Sequence, residues 1–144
     1  MSKPAFDLPD PEGHEIVQRL LAAERALRAH FESSAADVGL SVTHAQTLLS
    51  LEQPRRMREV AHDMRCEPSH VTGIADALEA DGYLRRETDP DDRRAKRLVL
   101  TPRGRRLRDR MVHRLNENAP IISTLDLGQR TQLLELLRAA QAVG

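Results

Sequence analysis

The sequence predicts a mainly α-helical chain with one small β-hairpin, and three observations carry that reading. Apolar residues recur at three- and four-residue spacing through most of its length, the period of one helix face. The segment Leu84 to Gly104 breaks that rhythm with two apolar-ended runs about the turn Asp89-Pro90-Asp91-Asp92. Two of the helical segments are separated only by Arg65-Cys66-Glu67, room for a tight turn and nothing more.

From Glu15 to about Ala35 the stripe is Ile16, Leu20, Ala23, Leu27 and Phe31, and the residues before it, rich in Pro and Gly, predict a loose arm over residues 1–12. Thr43 is expected to cap a short helix running through Leu51 and stopped by Pro54. Met57, Val60, Ala61 and Met64 make the next stripe. After the tight turn Pro68 suits the first turn of another helix, where it has no N–H to lose. Val71, Ile74, Ala75 and Leu78 face inward from that helix, and Gly82 supplies the left-handed residue that ends it. In the hairpin Leu98-Val99-Leu100 is a strand, and the tip carries Arg93, Arg94 and Lys96. Thr101-Pro102 then starts a helix to about Asn118 with Leu107, Met111 and Leu115 inward. Pro120 ends or bends it, and a last helix, capped by Asp126, runs to about Ala142 on five leucines, Leu127, Leu133, Leu134, Leu136 and Leu137.

Composition limits the function classes. A chain of 144 residues holds one domain with a core, or a small domain with helical arms. No run approaches a membrane span, and MSKPAFDLPDPEG lacks the apolar centre of a signal peptide, so the cytoplasm is the expected location. The single cysteine, Cys66, excludes an internal disulfide and any CxxC knuckle. Aromatics at 2% argue against base stacking as a binding mode. The net charge of zero hides an asymmetry: residues 1–54 carry 4 basic and 8 acidic groups, residues 55–114 carry 16 and 11, and residues 115–144 carry 2 and 3. A basic module thus sits between acidic flanks, and local charge decides where a polyanion binds, because exposed charges are screened beyond roughly 8–10 Å.

Once the inward stripe of the helix after Pro68 is assigned, Ser69, His70, Thr72, Gly73 and Asp76 face out, most of them near its N-terminus. Small polar side chains there can reach base edges, and the positive end of the helix dipole favours phosphate. A basic hairpin immediately downstream suits phosphates or a narrow minor groove. The arrangement is a winged helix-turn-helix, residues 37–101. The first helix and the last two, 13–36 and 102–144, would leave large apolar stripes in water if the winged part stood alone, so they are expected to pack across a homodimer.

The order helix, helix, helix-turn-helix, wing, long helix, helix resembles the MarR (multiple antibiotic resistance regulator) family. The strings that carry the resemblance are MREVAHDM, SHVTGIADALEADGYLRR and DPDDRRAKRLVLTPRG, and it spans about residues 12–142. The resemblance implies a transcriptional regulator, a repressor in the first instance, that holds double-stranded DNA at a pseudo-palindromic operator. It implies that Ser69, His70, Thr72 and Gly73 read the major groove, that Arg94 reaches the minor groove braced by an ion pair with Asp92, and that Arg93 and Lys96 touch phosphates. Arg56 and Arg86 are lesser phosphate candidates. Gly73 stands where many relatives carry a larger polar or basic side chain, which removes one base contact. Relatives commonly bind a small amphipathic or phenolic effector between the dimer helices and the helix-turn-helix, and His30, His44, Gln46 and Met57 are placed to line such a crevice.

Three other readings are weaker. Cys66 sits in the tight turn, where a small buried hydrophobe is needed, and this favours a packing role over a redox trigger. His14, His30, His44, His62, His70 and His113 show no paired ligand spacing, so no metal or other cofactor is expected. No GxSxG, P-loop, GxGxxG or HExxH occurs, which removes the common enzyme signatures. A winged-helix protein-interaction module without specific DNA binding would leave the basic tip without a purpose.

Overall fold

The structure, a computed structural model, describes residues 10–142. Helix α1 (Pro11–Asp37) starts two residues inside the expected arm, because the Asp10 carboxylate accepts from the backbone N–H groups of Glu12 and Gly13 at 3.2 and 3.0 Å and Pro11 takes the first helical position. The rest of the arm, residues 1–9, lies outside the described residues. Helix α2 (Val42–Ser50) is capped by Ser41, whose Oγ accepts from the His44 N–H at 3.2 Å. The expected cap, Thr43, is already inside the helix, and the earlier hydroxyl wins because its backbone is extended, as a cap requires. Strand β1 (Arg55–Arg56) follows, then α3 (Met57–Asp63), α4 (Pro68–Ala80), β2 (Leu84–Thr88), β3 (Lys96–Leu100), α5 (Pro102–Asn116), a 3-10 turn over Ile122–Thr124, and α6 (Leu127–Gln141).

Packing divides the chain into two units, Phe31–Asn116 and the flanking Met1–His30 with Glu117–Gly144. In the first, α3 and α4 form the helix-turn-helix. Its turn closes through the Cys66 N–H to the Ala61 carbonyl at 3.0 Å, with Arg65 held at φ 52 in the left-handed region. The half-buried Cys66 packs on the core beside it. That core joins Leu48, Val60, Val71, Leu78, Leu84, Leu98 and Leu107, each at most 2% exposed and each contributing about 1.5–3 kcal/mol on burial. A second cluster, Ala35, Ala45 and Met111 with Phe31 and Leu115 against it, ties the end of α1 to α2 and α5.

The sheet has three antiparallel strands in the order β1-β3-β2. Leu84 pairs with Leu100 and Arg86 with Leu98, so the apolar residues of the hairpin face the core. Strand β1, which no apolar pattern marks, pairs Arg55 with Leu98 and Arg56 with Arg97. Gly82 takes φ +77 at the end of α4, as its position predicts. Thr101 joins the hairpin to α5: its Oγ1 donates to the Gly82 carbonyl at 2.6 Å and accepts from the Gly104 N–H at 3.1 Å.

In the flanking unit, Asp126 caps α6 reciprocally with Gln129. All the exposed large hydrophobic residues among those described belong to this unit: Ile16, Leu20, Leu21, Leu27, Ile122, Leu127, Leu134 and Leu136, with Leu127 80% and Leu136 69% exposed.

Candidate nucleic-acid interface

Helix α4 buries Val71, Ile74, Ala75 and Leu78, and the same rotation leaves Ser69, His70, Thr72, Gly73 and Asp76 exposed on one outward face. Thr72 Oγ1 donates back to the Pro68 carbonyl at 3.1 Å, which spends its one O–H and leaves its acceptor lone pairs to solvent. At Gly73 an added Cβ would meet nothing within 4 Å, so no contact inside the chain calls for a glycine there.

The turn of the wing, between β2 and β3, is built by its own aspartates. Asp89 is 7% exposed; its backbone N–H donates to the Ala95 carbonyl at 3.0 Å, and its Oδ1 accepts from the Asp91 N–H at 2.8 Å. Asp92 Oδ1 accepts from the Arg94 backbone N–H at 3.0 Å. Asp92 therefore shapes the turn through the main chain of Arg94; the ion pair with its guanidinium that the resemblance implies is not formed. Lys96 is the first residue of β3 rather than part of the tip, and its Nζ donates to Thr88 Oγ1 at 3.0 Å across the strands.

The arginines of this region divide in two. Every strand arginine is tied to a carboxylate: Arg55 to Asp63 at 2.6 Å, Arg56 to Asp89 at 2.6 Å, Arg85 to Glu87 at 2.7 Å, Arg97 to Glu87 at 3.2 Å, and Arg86 to Asp76 at 2.5 Å and Glu79 at 2.7 Å. Arg93 and Arg94, both exposed in the turn, have no ion-pair partner among the described residues. The paired groups shift accordingly. The Arg56 guanidinium, followed by the Asp91 N–H, holds the Asp89 carboxyl below the ordinary aspartate range, and Arg85 and then Arg97 do the same for Glu87. Arg55 lowers Asp63 in the same way. Arg56 and Arg86, the two lesser phosphate candidates, are thus committed to carboxylates inside the chain. These pairings span up to 33 residues, as in Arg56–Asp89, and no sequence periodicity marks them.

The four residues expected to line an effector crevice fall in different places. His30 lies on α1 in the flanking unit. His44, half-buried, and Gln46, exposed, are on α2, and Met57, at the start of α3, packs against the core. Among the described residues no group of three or more His, Cys, Asp or Glu could hold a metal ion, and no helix is long and apolar enough to cross a membrane.

Helix-turn-helix, three-stranded wing and free basic tip define a winged helix-turn-helix protein. Residues 40–96 match the model of the MarR family. A curated relative, the uncharacterised HTH-type transcriptional regulator YkoM of Bacillus subtilis, is 32% identical over 95 residues; the match covers 65% of this chain and spans only 61% of that relative's length. Among solved structures, CouR of Rhodococcus jostii, bound to p-coumaroyl-CoA, aligns at TM-score 0.70 with 28% identity over 94% of this chain and 95% of that one. BpsR of Bordetella bronchiseptica, whose DNA binding is regulated by 6-hydroxynicotinic acid, aligns at TM-score 0.67 with 25% identity over 88% and 98%. Residues 40–96 thus resemble a MarR-family domain, and the relatives that the chain matches are transcriptional regulators.

Proposed function

We propose that this chain is a homodimeric, sequence-specific DNA-binding regulator acting in the cytoplasm, a repressor that releases a pseudo-palindromic operator when a small amphipathic or phenolic effector binds. The observation that carries the reading is the contrast among the arginines: Arg93 and Arg94 keep unneutralised charge at an exposed tip while every strand arginine beside them is spoken for. Unpaired guanidinium groups on a preformed turn are what a phosphate backbone or a narrow minor groove selects. The exposed apolar residues of α1 and α6 support the homodimer, since monomers rarely leave so many in water. The effector class is supported by the molecules of the two relatives, p-coumaroyl-CoA and 6-hydroxynicotinic acid, each of which carries a hydroxylated aromatic ring, and His44 and Gln46, both on α2, are the residues proposed to meet such a group.

Fluorescence anisotropy with the duplex upstream of the protein's own gene, against a scrambled duplex of equal length, tests the reading. Preference for the upstream duplex is expected, with log K falling by about 0.9 per neutralised phosphate for each tenfold rise in salt. Equal and weak binding to both would instead leave a winged-helix fold serving protein contacts. Two recognition helices about 34–36 Å apart should protect half-sites about 10–10.5 bp apart.

Gly73 gives a second check. A glycine in a helix interior costs roughly 0.5–1 kcal/mol relative to alanine, and here the space for a Cβ is open. Gly73→Ala is expected to raise the melting temperature by about 2–4 °C and to weaken operator binding, because the bare backbone lets α4 sit close against the groove. A variant that gains stability and keeps full affinity would show that nothing approaches Gly73.

A further inference from the structure

Arg86 leaves strand β2 and grips α4 at two carboxylates three residues apart on one face of the helix. Its Nη2 donates to Asp76 Oδ1 at 2.5 Å and its Nη1 to Glu79 Oε1 at 2.7 Å, while its backbone N–H donates to the other Glu79 oxygen at 3.2 Å. Its strand partner is Leu98, which is fully buried, so the root of the side chain is fixed in the core. Only 24% of the side chain is exposed, against 64% for Asp76 and 41% for Glu79. One guanidinium thus meets two carboxylates, and the cluster has no positive charge left for a phosphate. A phosphate arriving here would have to displace both carboxylates and then face their repulsion.

We propose that Arg86 is a positioning residue that locks the recognition helix α4 to the wing through Asp76 and Glu79, fixing the angle between the two DNA-reading elements, and that it makes no phosphate contact itself. The effect on DNA rests on the reading above; the lock does not. The connection Asp81-Gly82-Tyr83 joins α4 to β2 only at the C-terminal end of the helix, where the Tyr83 N–H donates to the Leu78 carbonyl at 2.9 Å. Packing in the shared core holds the buried face of α4, and the polar attachment at Asp76, more than a turn up the helix, fixes its exposed face against the wing as well. The same contact neutralises Asp76, which would otherwise hold an unpaired carboxylate on the face turned to the duplex. Exposed ion pairs add little to global stability, so the lock should act on geometry and discrimination more than on melting temperature.

Two variants separate this from a phosphate role. Glu79→Ala leaves every proposed DNA-reading residue in place and removes half of the lock; Arg86→Met removes both guanidinium contacts and leaves only the backbone N–H bond to Glu79. Positioning predicts that both variants lose about tenfold or more in preference for the upstream duplex over the scrambled one. A phosphate contact predicts that Glu79→Ala, by releasing one of the two carboxylates that hold Arg86, binds both duplexes as well as or better than the parent, and this result would overturn the proposal. A readout without DNA completes the test: nitroxides at Thr72→Cys and Thr88→Cys in a Cys66→Ala background, spin-diluted with unlabelled protein, report the distance between α4 and the wing by pulsed electron resonance. A narrow distribution that broadens in both variants is expected; an unchanged width in Arg86→Met overturns the lock. If the parent itself shows no preference for the upstream duplex, the DNA-binding reading fails while the distance measurement still decides the lock.

Discussion

Changing Arg93 and Arg94 together to Glu is expected to cut operator affinity by at least about a thousandfold and to leave the melting temperature within about 1 °C. A basic group in the interface is worth roughly 1–3 kcal/mol, and a dimer presents four of these, so even the lower figure gives about 4 kcal/mol, or three decades in Kd. The salt dependence should flatten as well, by about 0.9 for each phosphate that the variant leaves unneutralised. Stability is untouched because both side chains are exposed and unpaired, and because the hydrogen bond that shapes the turn uses the Arg94 backbone N–H, which any residue but proline keeps. Arg56→Met is the contrasting control: it strips Asp89, 7% exposed, of its guanidinium, and so should loosen the turn itself. If the double Glu variant binds the upstream duplex as tightly as its parent, the wing is not part of the interface. If instead it melts early, the two arginines have partners that the structure does not give them.

How far the sequence led depends on the range of each interaction. Stripes such as Val71, Ile74, Ala75 and Leu78 are local, because helix geometry alone brings them to one face, and all four are buried as their spacing predicts. The caps at Asp126 and Thr101 are local too, as is the left-handed Gly82. Strand β1 was invisible for the opposite reason: two arginines carry no apolar alternation, and they become a strand only because β3, far along the chain, offers its free edge. The same holds for the wing, where sequence shows a dense run of charge but not which charges cancel. Arg56 meets Asp89 and Arg86 meets Asp76 and Glu79 only after the sheet has formed, and that pairing separates the arginines that brace from the two that remain free. Thr43 and Ser41 differ in neither chemistry nor neighbourhood; the extended backbone of Ser41, set by the turn out of α1, makes it the cap.

Gly104→Ala is expected to destabilise the protein by about 3 kcal/mol or more, the upper end of overpacking costs, with a fall in melting temperature of roughly 10 °C. A Cβ built at Gly104 would lie 1.8 Å from the Tyr83 carbonyl oxygen and 2.8 Å from its carbon, and neither is the far end of a side chain that could swing away. The same carbonyl accepts from the Thr101 N–H at 3.1 Å, and Arg103 covers the Tyr83 ring at 5.0 Å, so the first turn of α5 is seated on the junction of α4 and β2 from three sides. Relief requires the helix to lift, and Leu107, 1% exposed and next along the buried face, would lift with it out of the winged-helix core. The comparison with Gly73→Ala makes the test sharp, since one methyl group is added in each case. On α4 it enters open space and the lower helical cost of alanine stabilises the fold; on α5 it enters backbone and the fold gives way. Thermal melts of the two variants side by side should therefore move in opposite directions, and a Gly104→Ala protein melting within a degree of its parent would mean that α5 does not sit so close to Tyr83.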